Sequence, residues 1–451
     1  MRLACVKAYD VRGRLGLDLD APRVARMAQA YAETIRPGRV VIGRDARLSS
    51  PALAAAVAGG LRAGGAEALD LGLCGTEEVY HGAFHLASQG VGGGIMVTAS
   101  HNPADWNGLK VVREEARPIA WDTGLQEIND RVVAAEAAGR PAPAPAAAAP
   151  LHLRDAYAAL VASFATPGRL RVLLNPGHGA AGPTFDALAP HLPPEWEVVR
   201  MDWLPDPSFP QGIPNPLLPG NRARTAAALR ESGADLGVAW DGDFDRCFLF
   251  DHEGGFVDGE HVVALLARAA LAREPGAPIV HEPRVLWAVE EAIREAGGTP
   301  VLSRTGHAHF KAALRDHDAP YGGELSAHHY FRGFGFCDSG MIPWLMVAGL
   351  LAREDRPLSE MVGSMRARFP SSGEINFAPP DPQAALTRFE AAYAGGAGAV
   401  DRTDGLSLDF GAWRANLRVS NTEGLLRLNL ETRGDRALLD AKVAELTAFL
   451  S

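Results

Sequence analysis

Four short stretches of this chain carry more reactive side chains than an ordinary loop needs. The first, "TASHNP" (residues 98–103), follows the apolar run Ile95-Met96-Val97 and sets Ser100, His101 and Asn102 beyond the end of a buried strand. A serine there can act as a nucleophile, although a serine in a polar turn is the plainer reading. It is not the hydrolase elbow, because G-x-S-x-G needs glycines where Thr98 and Asn102 stand. An extended backbone would aim His101 away from its neighbour Ser100. The second stretch, "DGDFDR" (241–246), gathers Asp241, Asp243 and Asp245, three carboxylates that repel one another unless a cation joins them. An EF-hand is excluded, since its sixth and twelfth positions would be Arg246 and His252. Magnesium suits so sparse a ligand set better than calcium and leaves room for a phosphate oxygen. In the third, "GGELSAHHYF" (322–331), Glu324 and Ser326 can exchange hydrogen bonds with sugar hydroxyls. The fourth, "RVSNTEGLLRLNLET" (418–432), crowds Arg418, Ser420, Asn421 and Thr422 ahead of a strand, which makes either a phosphate clamp or an N-capping turn.

Positioning such loops is the work of the elements around them. Open α/β sheets bind ligands beyond the carboxyl ends of their strands, and each α/β unit here has one polar loop in that place. "RVVIG" (39–43) reads as a strand, and Ser50-Pro51 as a capped helix start with a first-turn proline. "AEALDLG" and "GGIMVTAS" read as further strands. This rhythm ends in the Pro/Ala-rich linker "GRPAPAPAAAAP" (139–150) and then restarts twice. The expected architecture is three successive mixed-sheet α/β domains followed by a smaller α+β domain, around a central cleft. The expected boundaries are 1–148 with the serine loop, 149–250 with the aspartates, 251–368 with the Glu324 loop and 369–451 with the Arg418 loop.

Composition narrows the function classes. The chain has 451 residues, 47% hydrophobic and 22% charged, as expected for a soluble protein of several domains. Its net charge of −10 argues against a nucleic-acid or anionic-membrane partner, though not against a small anionic substrate in a locally basic cleft. Only four of 44 basic residues are lysines, and one of them, Lys110, closes the serine stretch. Four scattered cysteines without a CxxC pair, no leader pattern and no apolar run near the roughly 20 residues of a bilayer span give a cytoplasmic expectation.

Together the four loops, in this order, resemble the α-D-phosphohexomutase superfamily, most closely its phosphomannomutase/phosphoglucomutase branch. The resemblance covers essentially the whole chain and extends to "AYDVRG" (8–13), "GRDARLSSP" (43–51), "NGLK" (107–110), "PNPL" (214–217) and "RTGH" (304–307). It implies that Ser100 carries a phosphoryl group and that Asp241, Asp243 and Asp245, with Ser100, hold Mg2+. It implies that Glu324, Ser326 and His328 contact the sugar, and that Arg418, Ser420, Asn421 and Thr422 hold the distal phosphate. Tyr9, Arg12, His101, Lys110, Arg246 and His307 match residues lining the family's cleft. The implied reaction interconverts hexose 1-phosphate and hexose 6-phosphate through glucose or mannose 1,6-bisphosphate, which also serves as activator. A monomer or weak homodimer acting on small hexose phosphates is expected.

Several positions depart from the family pattern. Leu325 and Ala327 replace Met and Gly in the sugar loop, and a Cβ at 327 shifts that loop if the backbone there has positive φ. Gly424 stands where proline is usual, Glu77 replaces a proline in "GTEEVY", and Arg284 falls near a usual lysine. They bear on sugar preference rather than reaction class. The alternatives are a phosphoglucosamine mutase, against which Asn421 speaks because that branch reads S-G-T in the phosphate loop, and a catalytically weak sugar-phosphate-binding protein.

Overall fold

The apolar runs do form strands, and they pair as three mixed sheets and one antiparallel sheet. The computed structural model describes residues 1–284, 286–420 and 424–451; Asn421 and Thr422 lie outside the described residues. The first sheet has the order Val11–Arg14, Trp106–Arg113, Val91–Val97, Arg39–Arg44, Glu67–Leu73, Ala149–Pro150. Its central strands Arg39–Arg44, Glu67–Leu73 and Val91–Val97 are parallel; Arg39–Arg44 and Val91–Val97 are largely buried, as strands covered by helices on both faces must be, whereas Glu67–Leu73 is buried only at Ala68 and Leu69. The end of the Pro/Ala linker returns as the short strand Ala149–Pro150 on the edge of this sheet.

The second sheet repeats the plan with Leu170–Asn175, Trp196–Arg200 and Leu236–Trp240 parallel and Cys247–Asp251 antiparallel. In the third, Pro278–His281, Thr299–Leu302 and Tyr321–Gly323 run parallel, and His329–Phe331 and Cys337–Asp338 are antiparallel. The last sheet is wholly antiparallel, ordered Ser371–Phe377, Leu426–Thr432, Trp413–Val419, Leu406–Asp409, Ala399–Asp401, and carries the helices Pro382–Tyr393 and Arg436–Leu450.

This topology explains where the four polar stretches sit. Each lies between a strand and the next strand in sequence, which is its antiparallel neighbour: Val91–Val97 with Trp106–Arg113, Leu236–Trp240 with Cys247–Asp251, Tyr321–Gly323 with His329–Phe331, and Trp413–Val419 with Leu426–Thr432. Each therefore follows the carboxyl end of one strand and leads into its antiparallel neighbour.

One apolar cluster joins the first three units, running from Tyr80 and Val112 through Phe185 and Trp240 to Ile279 and Trp344. The last unit has its own core around Phe389, Leu417 and Leu428. Its attachment to the third unit is largely polar. Arg414 donates to Pro283 O at 2.6 Å, Glu431 accepts from the Leu286 amide at 2.8 Å, and Arg284 pairs with Glu374 at 3.1 Å. The first three units therefore share one apolar core, whereas the fourth is joined to the third mainly by buried hydrogen bonds and ion pairs.

One local expectation is corrected. Ser50 does not cap its helix: Ser49 is the cap residue, without a side-chain cap bond, and the Ser50 hydroxyl donates to Asp45 at 2.5 Å. Glu77, in place of the proline, is fully buried and accepts from the Tyr157 hydroxyl, joining the first and second units. Burial pushes its carboxyl up to about 8 from 4.5, so the folded chain holds a proton there that the unfolded chain has lost. A folded state that binds the extra proton loses stability as pH rises through that window, by up to about 1.4 kcal/mol per pH unit. Glu77→Gln removes this dependence. Its melting temperature relative to wild type is expected to climb between about pH 5 and pH 8, and a constant difference in paired melts across that range would contradict the assignment.

Candidate active site

The strand Val91–Val97 ends in a turn that the backbone would not adopt unaided. Ser100 has φ 51°, in the left-handed region that costs a non-glycine residue about 1 kcal/mol. Its amide donates to Thr98 Oγ1 at 2.8 Å, and a buried guanidinium secures the rest. Arg47 donates to the carbonyls of Ser100 (2.9 Å), Asn102 (2.6 Å), Pro103 (2.7 Å) and Trp106 (3.1 Å), and to the Asp45 carboxylate (3.2 Å). "GRDARLSSP" is thus a clamp on the serine loop, a role that its residue types did not reveal. The left-handed turn also corrects the expectation for His101: its Nδ1 lies 3.0 Å from Ser100 Oγ, because the backbone between them is not extended.

Arg47→Lys keeps a cation but cannot cover four carbonyls and a carboxylate with three donors. With the serine loop displaced by about 1 Å, kcat is expected to fall by about 100-fold, with a smaller change in KM and a lower melting temperature. Steady-state kinetics and a thermal melt on the same preparation check this, and an unchanged kcat would remove Arg47 from the positioning of Ser100.

The second loop meets the first directly. Ser100 Oγ donates to Asp241 Oδ2 at 2.5 Å. Asp243 accepts from Lys110 Nζ at 2.7 Å and from Thr76 Oγ1 at 2.5 Å, and Lys110 also contacts Asp245. Two glycines permit this approach. A Cβ on Gly242 would stand 2.7 Å from the Ser100 carbonyl oxygen, and one on Gly75 would stand 2.2 Å from the ring of Phe244, the buried residue of the aspartate loop.

Asp241, Asp243 and Asp245 are all buried, and their ligand oxygens lie within 4.8 Å of one another. In each, Oδ1 has no hydrogen-bond partner. Burial, with Asp243 next, pushes Asp241 up to about 6 and Asp245 up to about 8. Asp243 moves the other way: burial opposes its charge, but Lys110 outweighs it and holds it below the usual range. Lys110 likewise is kept charged against burial by Asp243, Asp245 and Asp241. Three clustered carboxylates facing one ammonium, each with an unsatisfied oxygen and with no nitrogen or sulfur among them, fit a hard divalent cation.

The third loop closes the cluster. Arg246 Nε contacts His328 Nε2 at 3.3 Å and stands 3.8 Å from Asp241 and 3.9 Å from Asp245. Ser326 Oγ lies 3.0 Å from His328 Nδ1. Glu324 is buried and already engaged, accepting from the Gly306 amide at 2.8 Å and the Tyr330 hydroxyl at 2.6 Å, which fixes the direction of its remaining lone pairs. Burial, then Glu282, pushes its carboxyl up to about 7. Ala327 does have a positive φ of 68°, and the loop accommodates the methyl group, with Ala327 O accepting from the Cys247 amide. Arg12 donates to Asn102 (2.8 Å) and Asp10 (2.7 Å), while Tyr9 packs edge-on against His307 at 5.2 Å, across the first and third units. Burial holds His101 well below its ordinary range, helped by Arg246 and Arg12, and lowers His307 to about 4.

Sequence reading also missed Asp338 and Lys311. Asp338 shares a close cluster with Asp245 and His328, and it is neutralised by the buried Lys311 at 2.7 Å, whose amine lies 3.8 Å from the Tyr80 ring centroid. A second lysine among so few was the available signal.

Arg418 belongs to the last sheet and is buried, with its Nε unpartnered and Glu374 4.0 Å away. Burial, then the neighbouring Arg284, lowers its guanidinium. Two guanidiniums forced together invite an anion. Arg284 itself forks onto Glu282 at 2.5 and 2.6 Å, and Glu282 accepts from the Leu325 amide, so the Glu324 loop and the Arg418 region share one ionic network. Ser420 is buried beside them.

Known proteins match this arrangement. The family models for phosphoglucomutase/phosphomannomutase alpha/beta/alpha domains I, II and III match residues 4–138, 152–255 and 258–369. The chain is 50% identical to a phosphomannomutase of Salmonella typhimurium, covering 100% of this chain and 99% of that protein. It is 51% identical to phosphohexose mutases of Xanthomonas campestris, covering 100% of both. A solved phosphoglucomutase/phosphomannomutase family protein of Burkholderia thailandensis superposes with a TM-score of 0.86 at 30% identity, over 98% of this chain and 96% of that one. The chain therefore belongs to the phosphoglucomutase/phosphomannomutase family and is a hexose phosphate mutase, a phosphotransferase of the isomerase class.

Proposed function

We propose that this mutase exchanges phosphate between carbon 1 and carbon 6 of glucose and mannose phosphates by way of Ser100. The observation that carries the reading is the seat of Ser100 Oγ, 2.5 Å from Asp241 and 3.0 Å from His101, on a clamped turn facing Lys110 and the three aspartates. Ser100 carries a phosphoryl group in the resting enzyme. The free hydroxyl of a hexose monophosphate attacks that phosphorus, the new O–P bond forming as the Oγ–P bond breaks, and the hydroxyl proton passes to a base. The products are a hexose 1,6-bisphosphate and free Ser100. Ser100 then attacks the other phosphate, restoring the phosphoserine and releasing the isomeric monophosphate.

The side chains divide the work. Lys110, kept charged, and Arg246 and Arg12 stabilise the transferred group. His101, kept neutral by burial, Arg246 and Arg12, is placed to hydrogen-bond the reacting oxygen at Ser100. Asp241, Asp243, Asp245 and the phosphoserine would hold Mg2+, which when bound would supply positive charge against the transferred phosphoryl group. Glu324, Ser326 and His328 hold the sugar, with Tyr9 and His307 at its edge, and Arg418, Ser420, Asn421 and Thr422 hold the distal phosphate.

One serine and one clamp must serve both ends of the sugar, so the bisphosphate turns over between transfers. The polar attachment of the last unit supports an opening motion for this step. Gly424, which no atom crowds among the described residues, makes the clamp easier to open. Among the described residues no helix is long and apolar enough to cross a membrane, and the four cysteines are free, which accords with a cytoplasmic setting.

The test is a coupled assay with glucose, mannose and glucosamine 1-phosphates, with and without trace glucose 1,6-bisphosphate. Turnover of the first two, sustained longer with bisphosphate, is expected. Exclusive use of glucosamine 1-phosphate would favour the sibling activity, and no turnover of any would leave a binding protein.

Arg418→Ala is expected mainly to raise KM, because the non-reacting phosphate is bound in both ground and transition states. A charge-assisted fork is worth about 1.5–3 kcal/mol, or about 10- to 150-fold. An unchanged KM in the same assay would make that loop structural.

A further inference from the structure

Behind the Glu324 loop lies a cavity of about 810 Å3, walled by Asn215 of the second unit, Asp258, Glu260 and His261 of the third, and Ser371 of the last. Asp258 precedes the helix Gly259–Arg273, and Glu260 and His261 stand in its first turn. Their ligand atoms, two carboxylate oxygens and a ring nitrogen, lie within 4.8 Å of one another. None of the three belongs to the Ser100 site.

The histidine is the informative member. His261 is 2% exposed, and neither ring nitrogen has a hydrogen-bond partner. Its Nδ1 stands 3.9 Å from Asp258 Oδ2, too far for a hydrogen bond and a fitting span for two ligands of one ion. A buried imidazole that bonds to nothing costs the fold about 1–3 kcal/mol. His81 and His281 are likewise buried with both ring nitrogens unpartnered, but among the described residues only His261 of the three stands within ligand distance of two carboxylates. Glu260 is 5% exposed and makes no ion pair among the described residues. Asp258 is half-exposed, which gives an entry path, and only its Oδ2 is taken by Arg366, at 2.8 Å.

We propose that Asp258, Glu260 and His261 form a second divalent-metal site that takes zinc or cobalt in preference to magnesium. One imidazole and two carboxylates, with a position left for water, are a common donor set for such ions, whereas magnesium avoids nitrogen ligands. The two metal sites of the chain then differ in kind: all-oxygen at the three aspartates, mixed nitrogen and oxygen here. The second lies where the third unit meets the last, since Arg366, which holds Asp258, is in the helix Leu358–Arg368 just before that unit begins.

The experiment titrates Co2+ into the full-length protein in excess Mg2+, reading visible d–d absorption, bound cobalt per chain and melting temperature. Wild type is expected to bind one equivalent with the absorption of a nitrogen-containing site and to melt higher. His261→Gln is expected to bind it at least about 10- to 100-fold more weakly and to lose the melting shift. Asp241→Asn, altered only in the Ser100 site, is expected to keep both. If His261→Gln fails to fold, Glu260→Gln serves the same comparison. Wild type taking up no cobalt overturns the site. So does uptake that survives in the His261 or Glu260 variant, or that disappears in Asp241→Asn.

Discussion

Ser100→Ala is expected to lower kcat by about 10⁴-fold or more while leaving the protein folded. The size follows from the chemistry proposed for this serine. Both transfers use its oxygen as the covalent carrier, so removing the oxygen removes the reaction path rather than one contact along it. The surrounding apparatus stays intact, since Lys110 remains on Asp243 and Arg246 remains beside Asp241 and Asp245. Binding should accordingly survive, and hexose phosphate affinity measured directly should change little. The fold tolerates the change because Arg47 clamps backbone carbonyls, not the Ser100 side chain. What is lost locally is the hydrogen bond to Asp241 and the contact with His101 Nδ1, about 1 kcal/mol each. The measurement is single-turnover and steady-state kinetics beside a thermal melt. Retention of more than about a tenth of wild-type kcat would refute the covalent role.

Much of this was legible in the sequence, for a physical reason. The three aspartates are spaced along one short loop, and the run from Ile95 to Lys110 holds the serine and lysine near each other before any folding. Strands announced themselves by apolar runs, but that each polar loop leads into an antiparallel neighbour came only from the sheet pairing. What sequence could not give depends on contacts between distant segments. Thr76 reaches Asp243 across 167 positions, and Arg47 finds four carbonyls that only the folded turn brings together. The side chain of His101 points where the φ of Ser100 sends it, and serine gives no local sign of a left-handed conformation. At Ala327 the reverse occurred: the positive φ that a departure from glycine brought into question is present, and the alanine accepts it. Arg284, read as an altered lysine, proved to be a fork onto Glu282 that links two of the loops.

Removing the divalent cation is the second large perturbation. A chelator is expected to reduce turnover below about 1% of its starting value, and added Mg2+ to restore it. The buried aspartates set this scale. Each keeps one unpartnered oxygen, one oxygen from each lies within 4.8 Å of the others, and a single ammonium cannot neutralise three carboxylates. A dianionic phosphoryl group brought next to Asp241 adds to the same repulsion, and the arginines at hand, Arg246 and Arg12, supply only part of the offset. Asp243→Asn tests the point from the protein's side. It keeps the shape of the loop and the Thr76 contact within reach of an amide oxygen, but it removes one charge and frees Lys110 from its partner at 2.7 Å. Metal affinity and kcat should fall together, kcat by about 100-fold or more, with part of the loss recovered at high Mg2+. Residual activity of the chelated enzyme is the decisive number: turnover that resists exhaustive chelation, in a preparation shown by elemental analysis to be metal-free, would mean that the three aspartates serve only to hold Lys110 and Arg246 in place.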